Sequence, residues 1–322
     1  VNTHAALRGL ERLPSHLKYF VAQDLSGILL KRGELESATV AIRSFKRLPE
    51  NKDGLPKLVD ATTEILRQED QSARQILERI IAEGSAESPL ALAELIDLDI
   101  RNDADISPDI ALLAETYAFE LKNTPDGARL LRAHVFASAS TAQFQKAFGI
   151  LESDVDSLDE KTNRELVNFI FSKLASTASD PDFLTYYFER LPSIESRLNP
   201  KTILEMSKRL LDLGFADQAG RLLLRIPPEM QTEQSKLLDG RILFEQDAFE
   251  QAIARIDGIN TVSASALKAA VLERIGDETA AVRLYRDADQ PELALTASWL
   301  SEDWLSLMDP EHPVFGPVAQ LS

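Results

Sequence analysis

A thirteen-residue pattern occurs three times between Pro200 and Ala288, as SKRLLDLGFADQA at residues 207–219, GRILFEQDAFEQA at 240–252 and AAVLERIGDETAA at 269–281. Each copy begins and ends with a small residue, and a glycine or an aspartate lies in the polar turn between them. We interpret each copy as the end of one helix, a short turn and the start of a second helix. Small side chains at both ends let two antiparallel helices cross closely. The pattern therefore predicts a repeated helix-turn-helix scaffold.

The same spacing of small residues continues toward the N-terminus, at Ser26 and Ala38 and again at Ala61 and Ala73. The small residue of each first helix falls at positions 26, 61, 93, 133, about 168, 207, 240 and 269, an average step of about 35 residues. This period matches helix-turn-helix repeats of about 34 residues. Because strand-like alternation of polar and apolar residues is absent, we expect an all-α chain with about 70 to 80% helix, well above the usual third.

Prolines mark the expected helix boundaries. An apolar residue followed by proline predicts a helix end, as at Leu13–Pro14 and Leu191–Pro192, because proline lacks the N–H and disfavours the α conformation in the residue before it. A capping residue before proline predicts a helix start. Such pairs are Ser88–Pro89, Ser107–Pro108, Thr124–Pro125, Asp180–Pro181 and Asn199–Pro200.

The organisation predicted from these signals is one elongated array over residues 1–322. It consists of N-terminal repeats at 1–87, irregular helical pairs at 88–195, regular repeats with a cap at 196–308 and an extended tail at 309–322. The first residue is Val1 rather than methionine. That start is compatible with removal of a signal, an anchor or further repeats, and equally with a choice of cloning boundary.

Composition excludes several classes of function. The formal net charge is −17, from 52 acidic and 35 basic residues, which argues against nucleic acid as a partner because that binding needs clustered Lys and Arg. With no cysteine, the chain holds no disulfide, Cys-ligated zinc or Cys nucleophile. No apolar run is long enough to span a membrane. The missing cysteine favours a bacterial periplasmic location slightly over the cytoplasm.

No catalytic or cofactor-binding constellation is recognisable. The four histidines, at positions 4, 16, 134 and 312, are scattered and lack the helical spacing of a metal site. The acid pair Asp97 and Asp99 is compatible with hydrolysis in an all-helical barrel, but solvated acids on helix faces explain it more simply. We therefore expect no enzyme activity, no cofactor and no metal.

The repeats resemble the tetratricopeptide repeat family. One unit follows the family pattern through Ala269, Gly276, Ala281, Tyr285, Ala288 and Pro291. Another follows it through Ser207, Gly214, Ala219, Leu223 and Pro227. The resemblance implies a right-handed α-solenoid of about eight antiparallel helix pairs, whose first helices line a concave groove that grips peptides or extended segments of a partner.

Carrying the family's groove-facing positions onto this chain gives a predicted partner-binding set of Lys201, Lys208, Arg241, Phe244, Glu245 and Arg274. Lys208 and Arg241 fall at equivalent positions of successive units. They are compatible with a positive ladder that holds a carboxylate or an acidic peptide. Ordinary surface cations paired with nearby acids explain them more simply.

The expected function is a non-enzymatic scaffold for protein–protein interaction, for example an accessory of a bacterial cell-envelope, motility or secretion assembly. An all-helical polysaccharide hydrolase or lyase with carboxylates in the groove is the first alternative, and a self-assembling structural protein is the second. The aromatic residues of segment 169–188 are expected in the core. Trp299 and Trp304 are expected to cover the open end of the solenoid at its last helix.

Overall fold

A computed structural model of the chain describes residues 3–46, 57–153 and 158–300. About 80% of these residues are helical and none of them lies in a strand. The all-α prediction is thus confirmed. The chain divides into two compact units after Ile170, and each unit is described separately. The predicted tail at 309–322 and Trp304 lie outside the described residues.

The first unit contains helices joined by short turns. They are α1 (Thr3–Arg12), α2 (Ser15–Lys31), α3 (Leu35–Lys46), α4 (Lys57–Leu66), α5 (Asp70–Glu83), α6 (Ser88–Arg101), α7 (Pro108–Glu120), α8 (Gly127–Ser140), α9 (Phe144–Ser153) and α10 (Glu160–Thr177), whose last turns belong to the second unit. Helix α2 packs against α3, α4 against α5, α5 against α6 and α7 against α8, and α2 contacts α4 as α6 contacts α8.

The second unit continues the same alternation of helix and turn. Its helices are α11 (Asp180–Ile194), α12 (Pro200–Asp212), α13 (Ala216–Leu223), α14 (Glu233–Glu245), α15 (Phe249–Ile256), α16 (Val262–Arg274), α17 (Glu278–Asp287) and α18 (Pro291–Leu300), with 3₁₀ turns at Glu195–Arg197 and Pro228–Met230. Helices α12 and α13, α14 and α15, and α16 and α17 pack as pairs. In addition, α12 contacts α14 and α14 contacts α16.

One backbone turn recurs between the helices of these pairs. Its central residue is left-handed, with positive φ at Gly33, Gln68, Asp103, Ala142, Gly214, Asp247 and Gly276. The next residue donates its N–H to a carbonyl five positions back, as Phe215 does to Leu210 at 2.8 Å. This is the Schellman ending of a helix, which satisfies carbonyls that the helix leaves unpaired. The polar turns predicted for the three copies of the pattern therefore share one geometry.

Ala142 is expected to be a point of strain in this series, because its φ of 59° places Cβ close to a carbonyl oxygen. Replacing Ala142 with glycine should raise the free energy of unfolding by about 1 kcal/mol. Ala254→Gly is the matched control, since Ala254 is exposed within α15 and the same change there should lower stability by about 1 kcal/mol. Urea unfolding of both variants checks the sign. A loss of stability in Ala142→Gly would contradict the prediction that the backbone is strained at Ala142.

The small residues of the repeated pattern lie in the interior, as a close helix crossing requires. Those in the second unit that show no exposed surface are Ser207, Ala219, Ala252, Ala269 and Ala281, and Gly240 is buried as well. At Gly240 an added Cβ would lie 2.5 Å from Cγ2 of Ile256 and 3.2 Å from Cδ2 of Leu267. Gly240 therefore lies where α14 meets both α15 and α16.

Two of the predicted helix caps are present. Ser107 accepts a hydrogen bond from the N–H of Ile110 at 3.3 Å, and Asn199 accepts one from Thr202 at 2.8 Å. The other predicted starts are displaced by one or two residues. Helix α6 begins at Ser88 itself, α11 begins at Asp180 behind a capping Ser179, and α8 begins only at Gly127.

The predicted helix end at Leu191–Pro192 is wrong, because α11 continues to Ile194 with Pro192 inside it. Pro192 removes one backbone donor in the last turn. The helix nevertheless closes through the N–H of Glu195, which reaches the carbonyl of Leu191. The end predicted at Leu13–Pro14 is confirmed, since α1 ends at Arg12.

Candidate functional site

The residues predicted to bind a partner lie on helices that contact one another in sequence. Lys201 and Lys208 lie on α12, Arg241, Phe244 and Glu245 on α14, and Arg274 on α16. Since α12 contacts α14 and α14 contacts α16, the residues lie along one row of first helices. We call this row, made of α12, α14 and α16, the first-helix row.

The cations of the row differ in how they are paired. The Lys201 side chain is 82% exposed, and its ammonium lies 3.8 Å from a carboxylate oxygen of Glu205 on the same helix. Arg241 reaches across to Asp212 at 3.6 Å, with both side chains about half exposed. Lys208 is exposed and makes no ion pair within the described part of the chain. Exposed pairs at such distances contribute little to stability, so these cations are available to a partner.

Phe244 and Arg274 are brought together by the packing of α14 against α16. The guanidinium carbon of Arg274 lies 5.6 Å from the centre of the Phe244 ring, which also packs 5.9 Å from Phe249. A cation over an aromatic face is attracted by the ring quadrupole. Glu245 is exposed beside them. At α14 and α16 the row therefore presents a half-buried aromatic ring with the Arg274 guanidinium over it.

Arg209, the neighbour of Lys208, has a structural role that the sequence did not indicate. Its guanidinium donates to the carbonyls of Ala175 at 3.0 Å and Ala178 at 2.8 Å, and it pairs with Asp180 at 2.6 Å. It thereby satisfies carbonyl groups at the end of α10, which a helix leaves unpaired. Arg209 is thus held in place, whereas Lys208 is not.

Several ion pairs of the first unit join helices of successive pairs. Arg132 on α8 lies 2.5 Å from Asp97 on α6 and 2.9 Å from Glu165 on α10, and its guanidinium carbon lies 4.4 Å from the centre of the Phe136 ring. One turn away, Arg129 pairs with Glu94 at 2.5 Å. We call the chain Asp97, Arg132 and Glu165 the carboxylate–arginine ladder. Sequence reasoning missed it because its members are more than 30 residues apart.

The acid pair considered for hydrolysis is held by arginines. Asp97 binds Arg132 and Asp99 binds Arg74, and Asp99 is only 3% exposed. Burial raises the pKa of both carboxyl groups, although the arginines and their hydrogen bonds lower it. Residues two apart on a helix point to different sides, so the two acids do not converge on one substrate position.

His134 is a packed helix residue, as its position in α8 predicts. It is 8% exposed, and its Nε2 has no hydrogen-bond partner in the part of the chain that the structure describes. Burial lowers the pKa of the imidazole, with an opposite effect of the Glu115 charge. Across the described ranges, no three His, Cys, Asp or Glu side chains are grouped so as to hold a metal ion.

None of the helices described is both long and apolar enough to cross a membrane. No protein-family model and no curated protein matches the chain. Its function is therefore inferred from the geometry of its own residues.

Proposed function

We propose that the chain is a non-enzymatic, tetratricopeptide-repeat-like α-solenoid of about eight antiparallel helix pairs that binds an extended segment of a partner protein along its first helices. The recurring turn supports the repeat, since its left-handed residues fall about 35 residues apart at 33, 68 and 103. Contacts between successive first helices support their stacking.

The observation that carries the proposed function is the state of the cations along the first-helix row. Lys208 is exposed and unpaired among the described residues, and Arg241 is held only by a 3.6 Å contact with Asp212. A carboxylate of a bound segment that reaches both cations forms charge-assisted hydrogen bonds at little desolvation cost. The Phe244 ring beside Arg274 offers an apolar contact next to the charges, of the kind that concentrates binding energy at interfaces.

Reversing the two cations tests this function. The variant Lys208→Glu with Arg241→Glu should lower the affinity for a bound partner by roughly tenfold or more, because it places repulsive charge where a carboxylate binds. Neither side chain contributes much to folding, so the helical circular dichroism and melting temperature should stay at the native values. Affinity capture from an extract of the source organism, with quantitative mass spectrometry and then titration of the captured partner, measures the effect.

The matched control carries the same change of charge away from the predicted binding residues of the row, at Arg283 on α17 and at Lys236 on another side of α14. Lys236 and Arg283 are exposed, and Lys236 lies on the side of α14 that faces Arg255. Lys236→Glu with Arg283→Glu should leave partner binding at the native level. Equal capture by the row variant and the native protein would exclude the first-helix row as the binding site.

The polysaccharide hydrolase alternative draws no support from Asp97 and Asp99, because each is neutralised by its own arginine. Self-assembly is distinguished from partner binding by light scattering of the native chain over a range of concentrations. A mass that rises with concentration and is unaffected by the row variant would favour self-assembly.

A further inference from the structure

A groove with apolar walls lies between α11 and α13 of the second unit, on helices that do not belong to the first-helix row. It has a volume of about 290 Å³. Residues 188, 191, 192 and 195 line it from α11 and the turn that follows, and residues 218, 221, 222 and 225 line it from α13 and its end. Both sets have the spacing of one helix face. Two helices thus present facing stripes to the same groove.

Phe188 is the exposed aromatic residue of this groove. The aromatic segment was predicted to be core, and Phe171 and Phe183 are indeed buried, but Phe188 is 52% exposed. Its ring is held in place by edge contacts with Tyr187 at 5.0 Å and with Phe215 at 6.3 Å. A ring that is fixed yet exposed loses little conformational freedom on binding, which is characteristic of interface anchors.

The floor of the groove is apolar, and its two arginines differ in whether a carboxylate pairs with them. Leu191 and Leu222 line the groove together with Phe188 and are only 7% and 2% exposed. Arg225 is neutralised by Glu195 at 2.5 Å. Arg221 is exposed, and among the residues that the structure describes its guanidinium makes no ion pair and only a long hydrogen bond of 3.4 Å, from Nε to the carbonyl of Asp217. The groove therefore has one unpaired positive charge in a chain of net charge −17.

The next groove along the second helices, between α13 and α15, lacks this combination. It shares Arg221 with the first groove, and its lining also includes Gln246, Gln251 and Arg255, but it contains no aromatic residue. Arg255 is bound by the carboxylate of Asp239. Of these two grooves in the described residues, the one between α11 and α13 alone adds an exposed aromatic ring to the Arg221 guanidinium.

We propose that this groove is a docking site for a short peptide of a partner protein that places a large apolar side chain against Phe188 and Leu222 and a carboxylate on Arg221. The volume is at the lower end of ligand pockets, which fits one or two side chains of a peptide. A guanidinium with free N–H groups binds a carboxylate through two parallel hydrogen bonds. This site lies on different helices from the first-helix row and does not depend on the function proposed for that row.

The test uses the full chain and an array of short synthetic peptides. In each peptide a leucine or phenylalanine precedes a glutamate at a different spacing, and a twin peptide carries glutamine instead. Glutamate peptides should bind the native chain more tightly than their twins. Arg221→Glu and Phe188→Ala should each weaken that binding by roughly tenfold or more. Arg221→Glu should also gain binding to peptides that carry lysine in place of glutamate, since the charge requirement is then reversed.

Two control variants establish whether peptide binding belongs to this groove. Arg283 is exposed on α17, and Arg283→Glu should bind the peptides as the native chain does. The variant Lys208→Glu with Arg241→Glu should also bind them normally, so that failure of the first-helix proposal and failure of this one give different results. Circular dichroism and melting temperature establish that each variant is folded.

Three results would overturn the proposal. One is equal binding of glutamate and glutamine peptides, or binding of neither, by the native chain. The second is unchanged binding in folded Arg221→Glu. The third is a concentration-dependent mass in light scattering that Phe188→Ala abolishes, which would assign the groove to a second copy of the chain.

Discussion

Replacing Gly240 with valine is expected to lower the free energy of unfolding of the second unit by about 3 kcal/mol or more. A side chain at this position would enter the crossing of α14 with α15 and α16. The first added atom alone would lie 2.5 Å from Cγ2 of Ile256 and 3.5 Å from the carbonyl oxygen of Ala252. Ile256 is fully buried, so it has no empty space into which to move. The backbone carbonyl gives way even less readily than a side chain.

A graded pair of variants distinguishes overpacking from an effect of helix propensity. Gly240→Ala gains helix propensity worth about 1 kcal/mol but still overlaps Ile256, so its net loss should be smaller than that of Gly240→Val. Gly149 is the control, because it is exposed in α9 and an added Cβ there would meet nothing within 4 Å. Gly149→Val should not destabilise the chain. Native-like melting of Gly240→Val would show that this crossing is not tightly packed.

Removal of Arg132 should have the largest effect in the first unit, a loss of about 2 to 4 kcal/mol. Arg132→Met keeps much of the side-chain volume but leaves Asp97 without its partner, and the Asp97 side chain is only 22% exposed. It also removes the contact with Glu165 at 2.9 Å and the stacking on Phe136. The expected loss is below that of a fully buried pair because the Arg132 side chain is 24% exposed and Glu165 is screened by solvent.

The pH dependence of Arg132→Met identifies the cause of that loss. Burial raises the pKa of Asp97, and Arg132 opposes this shift in the native chain. Without Arg132, the folded-state pKa should lie further above the unfolded value, so folding favours the protonated acid. A raised folded-state pKa contributes stability at low pH that is lost as pH rises through that pKa. The stability difference between variant and native chain should therefore be larger at pH ~7 than at pH ~5.

Two further measurements complete this test. Asp97→Asn in the Arg132→Met background should recover part of the loss, because no buried charge is then left unpaired. Arg164 provides the control, since its pair with Glu160 at 3.0 Å is highly exposed and Arg164→Met should change stability by about 0.5 kcal/mol or less. A pH-independent loss in Arg132→Met would assign its effect to packing rather than to charge.

The helical state and the turns inside the three copies of the repeated pattern followed from the sequence. Periodic small residues such as Ser207, Ala219, Ala252 and Ala281 are buried as predicted. The turns containing Gly214 and Gly276 were recognisable because glycine accepts the left-handed conformation readily. The same turn at Ala142 was not, since nothing in the local sequence favours that conformation there and the packing of α8 against α9 imposes it.

Part of the candidate site was predictable, because the periodic pattern places its residues on helices. The sequence placed Lys208, Arg241 and Arg274 on helices, and those helices lie in contact. It did not show that Arg209 satisfies the end of α10, or that among the described residues Arg221 makes no ion pair while Arg225 binds Glu195. Adjacent basic residues look alike in a sequence, whereas their partners come from another helix pair.

The sequence by itself determined that the described part of the chain is helical, where its helices turn and which small residues lie inside, because these depend on contacts between residues close along the chain. Only the tertiary structure decided which charges are held and which are free. Arg132 binds acids 35 and 33 residues away, so its role depends on how successive helix pairs stack. The packing of the second unit leaves Phe188 exposed in the groove that Arg221 also lines, since a side chain is covered only where a neighbouring helix reaches it.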